Sequence, residues 1–88
     1  MLGLLISLVL ANPCTYQDQV HYDRAVEYHE RASDAYDRFE VERDECTCAC
    51  GPCAARAMAL ARESFQWAIY EQAELDSISP ACREYLNR

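Results

Sequence analysis

"YDRAVEYHERASDAYDRFEVE", residues 22–42, divides into three sevens: YDRAVEY, HERASDA and YDRFEVE. Tyr22, His29 and Tyr36 recur at one place in the seven, and Ala25, Ala32 and Phe39 at the next core place. A seven-residue period keeps such positions on one side of an α-helix, so the stretch predicts an amphipathic helix with a coiled-coil-like seam. Arg24, Glu27, Arg31, Asp34, Arg38 and Glu42 alternate in sign at three- and four-residue spacings. Each such neighbour pair contributes a few tenths of a kcal/mol, and the row as a whole reads as a solvated face. Upstream, Thr15-Tyr16-Gln17-Asp18 has the pattern of a capping box, with Pro13 just outside it. The first helix is therefore expected over about residues 15–46.

Beyond a cysteine-rich turn at about 46–52, Gly51-Pro52 opens a second helical pattern, with proline suited to the first helical position. It runs to about residue 76 with a seam of Ala54, Met58, Ala61, Phe65, Ala68, Gln72 and Leu75. Ser79-Pro80 then begins a short helix over about 80–87. No stretch alternates as a strand does. The expected fold is all-α: an antiparallel two-helix hairpin, residues 12–88, closed by a Cys-rich turn.

Folding the second helix back sets Tyr22 opposite Leu75, His29 opposite Ala68, Ala32 opposite Phe65, Tyr36 opposite Ala61 and Phe39 opposite Met58. Large then meets small at most levels, which close interdigitation requires. The same register brings Cys14 and Cys82 together at the open end, where a disulfide is expected. His29 falls in this seam as a packed core histidine, with His21 beside it. Leu60, Ser64 and Trp67 widen the apolar arc of the second helix beyond what one partner helix covers, and Val26 and Val41 lie at or beyond the seam's edge on the first. A face made of Leu60, Trp67, Ser64 and Val26 is thus expected to dock either a second copy, giving a four-helix bundle, or another protein.

Cys46, Cys48, Cys50 and Cys53 fall within eight positions, "CTCACGPC". The leading expectation is a covalent staple of the turn, with three pairings open among the four. The second is a thiolate metal site: four thiolates suffice for tetrahedral Zn²⁺, and dense C-x-C spacing suits soft Cu(I). The third is redox chemistry. Cys50-Gly51-Pro52-Cys53 resembles the active-site tetrapeptide of the thioredoxin family, a likeness that covers four residues. It implies a cycling dithiol, and a helix N-terminus beside Cys50 would favour its thiolate. No Ser-His-acid grouping and no phosphate loop accompany it, so enzymatic activity is expected only if Cys50 and Cys53 supply it, and no cofactor is expected otherwise.

The totals set the compartment and the partners. Six cysteines in 88 residues is the usage of small secreted domains rather than cytosolic ones. Residues 2–11 are small or apolar, with Val9 and Ala11 spaced as a signal-peptidase site, so residues 1–11 are expected to be a short signal peptide without a basic start. The run is too short for a stable membrane span. A formal net charge of −7, with no lysine, argues against nucleic acid as a partner. The expected function is that of a secreted or periplasmic, non-enzymatic protein acting by protein–protein contact.

Overall fold

Thr15 starts the first helix for a local reason: its side-chain oxygen accepts the Asp18 N–H at 3.1 Å, while Asp18 Oδ2 accepts the Thr15 N–H at 3.0 Å. Two backbone donors that the helix itself cannot satisfy are thereby paired. In the computed structural model, which describes residues 12–46 and 51–87, this helix, α1, spans Tyr16–Glu45. Gly51 precedes α2 (Pro52–Asp76) at φ 88°, a left-handed conformation that glycine alone adopts without strain. Ser79 caps α3 (Pro80–Leu86), its Oγ accepting the Cys82 N–H at 3.4 Å. Each of the last two helices has proline in its first turn, where the missing N–H costs nothing.

The two long helices pack together along their length. Their antiparallel register is fixed by contacts spread from end to end. Asp18 bonds Ser79 at the open end, Ser64 Oγ donates to the Ala32 carbonyl at 2.9 Å in the middle, and Cys46 is bonded to Cys53 at the turn. Among the described residues every element is a helix.

The seam between the helices is rotated from the one the heptads suggest. Ala25, Ala32 and Phe39 do face α2, but their companions are His21, Tyr28, Ala35 and Glu42 rather than Tyr22, His29 and Tyr36. On α2 the seam runs through Ala57, Leu60, Ser64, Trp67, Glu71 and Glu74; Met58 and Phe65, expected inside, are 57% and 69% exposed. Close approach explains the choice. Ala25 and Ala35 on α1 and Ala57 on α2 are buried, and side chains of that size let two backbones come near. Room left at mid-height is filled by Tyr28 stacked on Trp67, ring centroids 5.6 Å apart, with Tyr70 edge-on to the same indole at 5.6 Å.

Two seam positions carry carboxylates, and each has a partner across the interface. Glu74 meets His21 Nδ1 at 2.5 Å with Arg24 at 3.9 Å, and Glu71 meets His29 Nδ1 at 3.2 Å. Half-buried charges of this kind are retained only when so paired. His21 is thus the histidine at the seam, and His29, expected there, lies largely exposed at its edge.

A third cluster closes the open end. Asp18 is 5% exposed; its Oδ1 accepts the Ser79 N–H at 3.0 Å and its Oδ2 accepts the Ser79 hydroxyl at 2.9 Å, besides the Thr15 N–H. One carboxylate therefore ties the start of α1 to the start of α3, with Ile78 and Cys82 buried beside it. The Ser79 backbone N–H, then that of Thr15, hold the Asp18 carboxyl down from 3.8 to about 2. Because the folded value lies below the unfolded one, this contribution is complete above about pH 3.8 and is lost as pH falls through about 2. The urea midpoint of the wild type is expected to drop across that interval. Asp18→Asn, which sets an amide where only acceptors fit, is expected to be less stable at neutral pH and to lose most of that acid-side slope in the same titration of midpoints.

Candidate interaction surface

Packing α1 and α2 through Ala25, Ala35 and Ala57 leaves the hairpin with two long flanks, and the sequence fills them differently. One flank is ionic. Arg31 pairs with Glu27 at 2.8 Å and Arg38 with Asp34 at 3.2 Å along α1. Arg38 also reaches Glu63 at 3.0 Å, and Arg56 reaches Glu42 at 3.4 Å, both across to α2. Arg31 lies 4.8 Å from the Trp67 ring centroid, covering the outer side of the indole. The ladder read from the sequence is therefore this flank, and it spans two helices instead of one. Its pairs are exposed, so each contributes little stability; their effect is to keep the flank wet.

The opposite flank is apolar. A groove bordered by His29, Ser33, Tyr36 and Asp37 from α1 and by Ser64, Ala68 and Glu71 from α2 marks its middle. A second, bordered by Tyr22, Gln72, Leu75, Asp76, Arg83 and Leu86, marks its open end, so charges stand at the margins of the apolar strip. Heptad repetition adds Val26 to the row of Ser33, and Met58 and Phe65 to the row of Gln72. Tyr22, Val26, Tyr36, Met58 and Phe65 are all exposed, Phe65 most of all at 69%. On α2 none of Ala54, Met58, Ala61, Phe65, Ala68, Gln72 and Leu75 carries a charge, while on α1 His29 stands between Tyr22 and Tyr36 and the row of Val26 and Ser33 continues to Glu40. On the ionic flank, exposed Val41 stands beside Asp37, Arg38 and Glu42, and Tyr70 lies against the Tyr28 and Trp67 rings.

These positions revise the face expected from the sequence. Leu60, Ser64 and Trp67 turn towards α1, each half-buried, because the alanine-lined seam places them at the contact; Ser64 spends its hydroxyl there on a backbone carbonyl. Val26 remains at the surface, on the apolar flank. The residues first assigned to the seam, Tyr22, Tyr36, Met58 and Phe65, make up the open surface instead. The missed signal was small size: Ala35, Ala57 and Ser64 sit one residue before Tyr36, Met58 and Phe65, and a scale of apolarity ranks them the wrong way round.

The cysteines close both ends. Cys14 is bonded to Cys82, Cα–Cα 4.7 Å, across 68 residues, and Cys46 to Cys53, Cα–Cα 5.7 Å, across seven. Bonded to Cys46, Cys53 is not the partner of Cys50, so the dithiol implied by the thioredoxin-like tetrapeptide is not formed in this state. For the same reason Cys46 and Cys53 present no thiolates, and a four-thiolate site for Zn²⁺ or Cu(I) needs this bridge reduced. Cys48 and Cys50 lie outside the described residues, as does the expected signal segment at 1–11. Among the described residues no three His, Cys, Asp or Glu side chains are grouped to hold a metal ion, and no helix is long and apolar enough to cross a membrane. Two intramolecular disulfides are compatible with an oxidising, extracytoplasmic location. No protein-family model, curated protein or solved structure matches this chain.

Proposed function

We propose that the protein is a secreted or periplasmic helical hairpin, fastened by disulfides, that works by protein contact through its apolar flank and not by catalysis. The observation that carries this reading is the contrast between the two flanks: ion pairs line one, while the other exposes Tyr22, Tyr36, Met58 and Phe65 and has Asp37, Glu71, Asp76 and Arg83 at the margins of its grooves. A contiguous apolar strip the length of a molecule is what an interface leaves on a separated subunit. The interior supports it too. Ala25, Ala35, Ala57, Ile78 and Cys82 are the buried apolar side chains among the described residues, and three of them are alanine. So thin a core leaves further apolar burial to be gained from a partner.

Two substitutions on exposed apolar residues test the reading. Phe65→Glu, on the apolar flank, is expected to abolish association in sedimentation velocity while circular dichroism shows unchanged helicity. Val41→Glu, on the ionic flank at 56% exposure, is expected to leave both unchanged. A wild type that associates and a Phe65→Glu variant that associates to the same extent would overturn it.

A further inference from the structure

We infer that the partner covering the apolar flank is a second copy of this chain, packed flank to flank with both turns at the same end of a four-helix bundle. This rests on the flank reading above and adds to it the partner's identity and orientation. Dimension supports a second copy. A helix of 30 residues is about 45 Å long, and two side by side are about 20 Å wide. The flank is therefore on the order of 900 Å², close to the roughly 800 Å² each partner contributes to a standard interface.

Size complementarity sets the orientation. A two-fold axis parallel to the hairpin lays α1 of one copy on α2 of the other at the same height and antiparallel, which repeats between copies the register that Asp18–Ser79 and Ala32–Ser64 set within one. Tyr36 then meets the partner's Ala61, His29 meets the partner's Ala68, and Ser33 meets the partner's Phe65. Large faces small at these three middle levels, as interdigitation demands, while at the open end Tyr22 meets the partner's Leu75. The seam inside the hairpin does not use these pairs; Tyr36 and Phe65 point away from it, 48% and 69% exposed. An axis across the hairpin would instead lay α1 on α1, setting Tyr22 against Tyr36, His29 against His29 and Ala68 against Ala68, large on large and small on small. In the proposed bundle the two ionic flanks end on opposite outer faces, so two chains of formal charge −7 keep their charged rows apart.

The test is sedimentation equilibrium of the full disulfide-bonded chain. The wild type is expected to be dimeric, and Phe65→Glu to raise Kd by about 100-fold or more, since it sets a carboxylate at the centre of an apolar contact. Adding Ser33→Arg to Phe65→Glu is expected to recover about tenfold or more, because the new guanidinium faces the new carboxylate across the dimer. Adding Gln72→Arg instead changes the net charge equally and is expected to recover nothing. A monomeric wild type would overturn the second copy as partner, and a dimer indifferent to Phe65→Glu would overturn the flank itself. Rescue by Gln72→Arg, or by neither arginine, would overturn the orientation and leave the flank standing.

Discussion

Replacing Cys14 and Cys82 together by alanine is expected to leave the hairpin largely unfolded at 37 °C, and to cost more than replacing Cys46 and Cys53. The bond between Cys14 and Cys82 closes 68 residues and so removes much of the freedom of the unfolded chain, about 4 kcal/mol in the loop-entropy account. The Cys46–Cys53 bridge closes seven, and the same account gives it about 2 kcal/mol. Whole small domains have about 5–15 kcal/mol in hand, and this one draws little from buried alanines. Loss of the end-closing bridge also loosens the base of α3, since Cys82 is buried beside Ile78 and near the Asp18–Ser79 hydrogen bonds. Urea denaturation followed by circular dichroism, on both double variants without reductant, measures the two costs. Equal midpoints for the two variants would show that loop length does not set the stability here.

Trp67→Ala is the second large effect, and its character follows from where the structure puts the indole. A tryptophan on an outer docking face would be removable with helicity intact. Trp67 instead stacks on Tyr28 across the seam, takes Tyr70 against its edge and carries Arg31 on its outer side. Truncation empties the part of the seam that Ala25, Ala35 and Ala57 are too small to fill, so a loss of about 3 kcal/mol is expected, at the lower end for a large aromatic because the ring is half-exposed. The thermal midpoint should fall and far-UV helicity with it, whereas Phe65→Glu should leave helicity in place and lower the midpoint only by what the lost association contributed. A Trp67→Ala chain as stable as the wild type would place the indole outside the seam.

Much of the hairpin can be read in the residues, and the limit of that reading is physical. Capping residues Thr15 and Ser79, and the prolines after Gly51 and Ser79, mark helix starts through local hydrogen bonding that needs no tertiary context. The antiparallel register follows from aligning the two seven-residue stripes across a short turn, and it sets Cys14 beside Cys82. Rotation about each helix axis does not follow. Two stripes with the same seven-residue period run along each helix, one holding Tyr36 and Phe65, the other Ala35 and Ser64, and every pairing argument serves both equally. Apolarity favours the aromatic stripe. Helix–helix distance favours the alanine stripe, and the Glu71 and Glu74 carboxylates become tolerable there because histidines face them. The second role of Asp18 was equally hidden. A capping box predicts its bond to Thr15, but nothing local predicts that Ser79, 61 residues away, will donate to the same carboxylate.

The two bridges together have a topological consequence. Chain from Cys14 to Cys46, bond to Cys53, chain to Cys82 and bond back to Cys14 trace one covalent ring that contains both long helices. A protease that cuts once within α1 or α2 opens the ring without releasing a fragment, and the cut ends stay held at both extremities by the bridges. Without reductant, such a nicked molecule gains the mass of one water and nothing else. Only a second cut within a helix, or an electron pair delivered to the Cys14–Cys82 bond, lets the pieces part; reducing Cys46–Cys53 leaves them joined, because the peptide chain of the turn still links those two cysteines.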